Sequence, residues 1–73
     1  MVITPAVLQV TPEYIRREAR IRFEEIAQAV VGIPEDSVFW KSARDSRLCL
    51  VVHGWSFTYS FQGATLRVTD ARK

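Results

Sequence analysis

The chain has 73 residues, 48% of them hydrophobic and 25% charged, with a net charge of +2. That length allows one small domain over residues 1–73 and excludes two separate cores, while the composition excludes a disordered chain. Ten Lys and Arg against eight Asp and Glu are too balanced for charge alone to signal a nucleic-acid binder.

No stretch approaches the ~18 consecutive apolar residues that a membrane span needs. The opening residues 1–10 carry no basic run, and Thr4 and Pro5 break their apolar run, so no signal peptide is expected. Cys49 is the only cysteine, which excludes a disulfide within the chain and fits a reducing, cytoplasmic setting. Without disulfides a chain of this size has little stability to spare, and help from a partner would be unsurprising.

In chain order, residues 1–10 form an apolar N-terminal arm. Val2, Ile3, Val7, Leu8 and Val10 could add an edge strand or lie across the core. Thr4-Pro5 and Thr11-Pro12 both have the form of a helix start, with Thr as N-cap and Pro at the first helical position. The second has more support. Glu13 suits the helix dipole, and Val10 and Ile15 sit at the positions of a hydrophobic staple. A helix is expected over residues 12–31, stopped by Gly32 and Pro34. Its apolar stripe is Ile15, Ala19, Phe23, Ile26 and Val30, while Tyr14 and Ile21 fall on the far side. Glu13–Arg17, Glu18–Arg22 and Arg20–Glu24 have the i to i+4 spacing of helical ion pairs.

Residues 33–37 connect to a sheet expected over residues 38–69. Its first strand is read at Val38 to Ala43, with Arg44, Asp45 and Ser46 as its turn. A three-residue turn puts Trp40 on the core face and leaves Phe39 and Lys41 outside beside Val51 and Cys49; an even-length turn would exchange Trp40 and Phe39.

The run from Leu48 to Thr69 is the most informative part of the chain. His53-Gly54 and Gln62-Gly63, read as two-residue hairpin loops, cut it into three strands. Val52 then faces Trp55, Leu50 faces Phe57 and Leu48 faces Tyr59. Across the second turn Phe61 faces Ala64, Tyr59 faces Leu66 and Phe57 faces Val68. All these residues are apolar or aromatic and share one face. The tail from Asp70 to Lys73 is expected to fray. The expected fold is therefore α+β, one amphipathic helix on a four-stranded antiparallel meander. Its core is Leu50, Val52, Trp55, Phe57, Tyr59, Leu66 and Val68 with Phe23, Ile26 and Val30.

Catalysis needs convergent groups. His53 and Cys49 are each single, and no third group orients them, so no enzyme activity is expected. One His and one Cys fall short of a zinc site, and isolated glycines make no phosphate loop, so neither metal nor cofactor is expected. Protein binding is the leading reading. Tyr14 and Ile21 with Arg17 on the helix, and Phe39 and Val51 on the sheet, are its candidate residues. The partner is another protein or a second copy of this chain. The alternative is nucleic-acid binding through Arg16, Arg17 and Arg20 on the helix and Arg44 and Arg47 at a hairpin turn. In size and lack of assembled chemistry the chain resembles small accessory proteins of phages and other mobile elements, including inhibitors of host defence. That resemblance implies inhibition by binding a host protein and assigns no residue a role.

Overall fold

The computed structural model describes residues 1–63 and 65–73. The elements run β1 (Val2–Ile3), α1 (Pro5–Val10), α2 (Glu13–Val30), α3 (Val38–Asp45), β2 (Leu48–Val52), β3 (Trp55–Gln62) and β4 (Thr65–Arg72). The fold is α+β. Its sheet has the order β1-β4-β3-β2, with β1 parallel to β4 and the other pairs antiparallel. The sheet is thus mixed, and three helices stand where one was expected.

The N-terminal arm does both things its composition allows. Val2 and Ile3 pair with Arg67 and Val68, and the Thr4 amide donates to the Val68 carbonyl at 3.1 Å. Pro5 then opens α1, where a missing N–H costs nothing. Val7 is buried. Thr11 does not cap α2 as expected. Its hydroxyl donates back to the Val7 carbonyl at 2.7 Å, which lets this buried polar residue end α1, and Pro12 takes the N-cap position of α2.

α2 buries Ile15, Ala19, Phe23 and Val30 and half-buries Ile26, the stripe set by its 3.6-residue period. Phe23 meets Phe57 and Tyr59 edge-on, with ring centroids 5.9 and 5.2 Å apart. The Glu13–Arg17 and Glu18–Arg22 ion pairs form at 3.5 and 3.6 Å, whereas Arg20–Glu24 does not.

Residues 38–45 are a helix, not the expected first strand. Ser37 is its N-cap and accepts from the Phe39 amide at 3.3 Å. Trp40 and Ala43, three residues apart, both face the core, which a strand's alternation would forbid. Trp40 reaches the core as expected, but from a helix. Its indole N–H donates to the Ile33 carbonyl at 3.3 Å, and its ring meets Phe61 at 5.4 Å. Phe39 and Lys41 consequently leave the sheet altogether.

The β2–β3 register is the expected one, with Leu48 opposite Tyr59, Leu50 opposite Phe57 and Val52 opposite Trp55. His53 (φ 47°) and Gly54 (φ 83°) both lie in the left-handed region, as a type I′ turn requires. The β3–β4 register differs by two residues. Gln62 pairs with Thr65, Phe61 with Leu66 and Tyr59 with Val68. A slip of two keeps each side chain on its face, so Leu66 and Val68 still enter the core. The expected Phe61–Ala64 pair involves a residue outside those described. An irregularity at Thr58/Tyr59 then shifts the pairing again, setting Phe57 opposite Ala71. The extra residue exposes Thr69 and Asp70 in succession and returns Ala71 to the core, so the expected frayed tail is strand as far as Arg72.

All three helices lie on the face that holds Phe57, Phe61, Leu66 and Val68. The opposite face stays open and carries Cys49, Val51, Thr58, Ser60, Arg67 and Arg72. Within the sheet, β2 is paired on one side only. No helix among the described residues is long and apolar enough to cross a membrane.

Candidate interaction groove and sheet edge

Placing residues 38–45 in a helix creates a feature that a fourth strand would have filled. Where α3 packs across the end of α2, the two helices and the sheet enclose a groove of about 330 Å³. Ile26 and Ala29 form its α2 wall, Phe39 and Ala43 its α3 wall, and Leu48, Tyr59 and Phe61 its floor. Ile26 and Tyr59 were expected in the core and Leu48 on its face, but each is only half-buried. Phe39 stands at the rim, 39% exposed, held edge-on against Trp40 (5.1 Å) and Phe61 (6.2 Å). A ring braced by two others presents apolar surface with little rotamer freedom left to lose. Burial, reinforced by the nearby Cys49, pushes the Tyr59 phenol above its ordinary value of 10.0, so it stays neutral and adds no charge to the floor.

The groove reaches the sheet at Leu48, the first residue of the unpaired edge. Backbone geometry fixes which groups that edge offers. A type I′ turn bonds the carbonyl of its first residue to the amide of its fourth, so Val52–Trp55 is a hydrogen-bonded pair. Antiparallel pairing alternates, so Leu50 and Leu48 also direct their amide and carbonyl groups to β3. Cys49 and Val51 therefore direct theirs away from the sheet. The strand LCLVV contains no charge, Pro or Gly and no bulge, the usual devices that blunt an edge.

The sequence-derived candidates are distributed unevenly. Val51 lies on this edge, on the open face, 65% exposed. Phe39 lies on the helical side and does not adjoin Val51. Tyr14 and Ile21 are 67% and 48% exposed on α2. Ile26 and Ala29 face β2, and the 100° steps of the helix place Arg22 and Glu18 on that flank, whereas Tyr14 and Ile21 lie on the outer side, where Ile21 shares a cleft with Met1, Glu24 and Gln28. Arg17 is paired with Glu13.

Arg16, Arg17 and Arg20 do converge, with Leu8 and Glu13, on a cleft of about 280 Å³. Arg16, however, donates to the Leu8 carbonyl, and Arg17 is held by Glu13. Only Arg20 is uncommitted there among the described residues. Arg44 is in the last turn of α3 near Glu35 and Trp40 rather than at a hairpin turn, and Arg47 is on the open face near Cys49 and Asp70. The five arginines thus occupy three separate places. Among the described residues no three His, Cys, Asp or Glu gather as a metal site would need. His53 sits exposed in its turn, and Cys49 is exposed on its strand. Comparison with protein-family models, curated proteins and solved structures finds no match to this chain.

Groove residues Ala29, Ser42 and Ser46 carry no signal of their own in the sequence. They acquire a role only through the position of α3.

Proposed function

We infer that this chain is a non-catalytic protein-binding module that docks its partner on the groove between α2 and α3 and along the adjoining edge of β2. One observation carries this reading: an apolar groove meets, at Leu48, a strand edge on which the amide and carbonyl groups of Cys49 and Val51 point away from the sheet. The groove offers apolar anchor sites, the feature in which binding energy concentrates. The edge offers main-chain hydrogen bonds of fixed spacing, as in recognition by strand addition. Dispersal of the arginines argues against the nucleic-acid alternative, which needs neighbouring cations to follow a phosphate backbone.

The test is affinity capture with the intact chain as bait, with and without nuclease, followed by a salt titration. Binding through an apolar groove predicts that capture survives nuclease and about 0.5 M salt, where exposed charges are largely screened. Phe39→Ala should abolish capture, and Arg20→Gln should leave it unchanged. Loss of all capture after nuclease treatment overturns the proposal in favour of nucleic acid.

A further inference from the structure

We propose that the partner seated on the β2 edge is a second copy of this chain, paired antiparallel about a twofold axis at Leu50. This rests on the protein-binding reading above and assigns its occupant.

The edge is self-complementary in its backbone. Its outward amide and carbonyl groups belong to Cys49 and Val51, symmetric about Leu50. A twofold axis through Leu50 sets Cys49 opposite Val51 of the second copy, and Val51 opposite its Cys49. Both pairs then have their hydrogen-bonding groups facing each other, giving four main-chain bonds. Leu50 meets its own copy in the close, non-hydrogen-bonded position, and Leu48 meets Val52 of the second copy. Any extended strand could match the backbone; what suits a second copy is that the apolar residues of LCLVV then meet apolar residues, Leu50 with Leu50 and Leu48 with Val52.

Charge and apolar surface agree. No residue of β2 is charged, so the axis brings no like charges together along the strand. An axis perpendicular to the sheet keeps both helical layers on one face. The flanks that then approach carry the Glu18–Arg22 ion pair rather than a row of one sign. A five-residue strand pair is about 17 Å long, too small alone for the roughly 1,000 Å² of a stable interface. The groove supplies the remainder. In that register the exposed His53-Gly54 turn of the second copy follows its Val52 past Leu48 and lies beside Ser46 at the rim of the groove. Together these pairings give one continuous eight-stranded sheet and leave no uncapped β2 edge.

Val51→Pro tests this directly. The Val51 amide points away from β3, so Pro removes no bond within the chain, and an edge strand tolerates it there. Light scattering on a sizing column is run from about 1 to about 100 μM, bracketing the micromolar range of modest interfaces. The wild-type mass should double across that range. Val51→Pro should keep the mass of one chain, with an unchanged circular dichroism spectrum. A second variant keeps the test decisive if Val51→Pro misfolds. Val51→Cys sets two thiols in cross-strand pairs about 5.5 Å apart at Cα, within disulfide reach. In wild type the two Cys49 are diagonal neighbours about 7–8 Å apart, at or beyond that reach. Mild oxidation should therefore give a covalent dimer of Val51→Cys several-fold faster than of wild type.

A wild-type monomer at every concentration, a Val51→Pro dimer, or equal crosslinking of the two cysteine forms would each overturn the second-copy assignment. A monomer that still captures another protein in a Phe39-dependent way removes the second copy and keeps the binding reading. A monomer that captures nothing removes both.

Discussion

Phe57 and Phe39 are both phenylalanines in contact with other aromatic rings, and the structure assigns them opposite energetic roles. Phe57 is 1% exposed at the centre of β3, edge-on to Phe23. Truncation to Ala removes about 2–3 kcal/mol of apolar transfer. The lost edge-to-face contact adds about 0.5–1.5 kcal/mol. Allowing for a cavity under the rigid α2, the expected cost is about 3–5 kcal/mol. For 73 residues, total stability is of order 4–11 kcal/mol, so Phe57→Ala should leave the chain at the margin of folding. Phe39 faces the groove and is already partly in water, so Phe39→Ala should cost about 1 kcal/mol or less. Urea unfolding followed by the fluorescence of Trp40 and Trp55, at protein concentrations low enough to suppress association, measures both. A cost below about 1 kcal/mol for Phe57→Ala would refute the core described here. Equal costs for the two variants would mean that the groove is closed core and not a surface.

Two further outcomes are expected. Ser37→Ala removes the side-chain cap of α3, so stability should fall by about 0.5–2 kcal/mol, and capture by the groove should weaken because α3 forms one wall; stability unchanged within error would place the start of that helix elsewhere. The folded state raises the Tyr59 phenol above its unfolded value of 10.0 and so binds that proton more tightly. Its contribution is fully present below pH 10 and is lost as the pH rises through the folded value; ionisation of Tyr59 at or below the ordinary value in a spectrophotometric titration would contradict its burial.

The parts of the fold legible in the sequence are those set by a local rule. His53-Gly54 meets the positive-φ demand of a type I′ turn and fixes the β2–β3 register. The stripe from Ile15 to Val30 fixes the buried face of α2. At Gln62-Gly63 the rule is weaker, because only Gly63 (φ 59°) has the required freedom and Gln62 pairs in the strand instead. The β4 irregularity is invisible in sequence, since Val68 and Ala71 are three apart in a strand that alternates elsewhere. The run VFWKSARD misleads because Val, Phe and Trp favour strands in isolation, while the Ser37 cap and the Trp40–Ala43 spacing speak for a helix. That single reversal also hid the groove. Ile26 and Tyr59, assigned to the closed core, were right in direction and wrong in depth, since their depth depends on where α3 lies. Tyr14, Ile21 and Val51 were legible as exposed from periodicity alone, but that Val51 lies on an edge strand, apart from the other two, required the sheet order.

Hydrogen exchange at the five amides of β2, measured as a function of protein concentration, tests the edge most directly. Bonding to β3 should protect Leu48, Leu50 and Val52 at every concentration. Cys49 and Val51 should exchange rapidly in dilute solution and become protected together as concentration rises and β2 pairs with its copy. Rapid exchange at Cys49 and Val51 at all concentrations would contradict the twofold pairing, and rapid exchange at Leu50 would contradict the strand register itself.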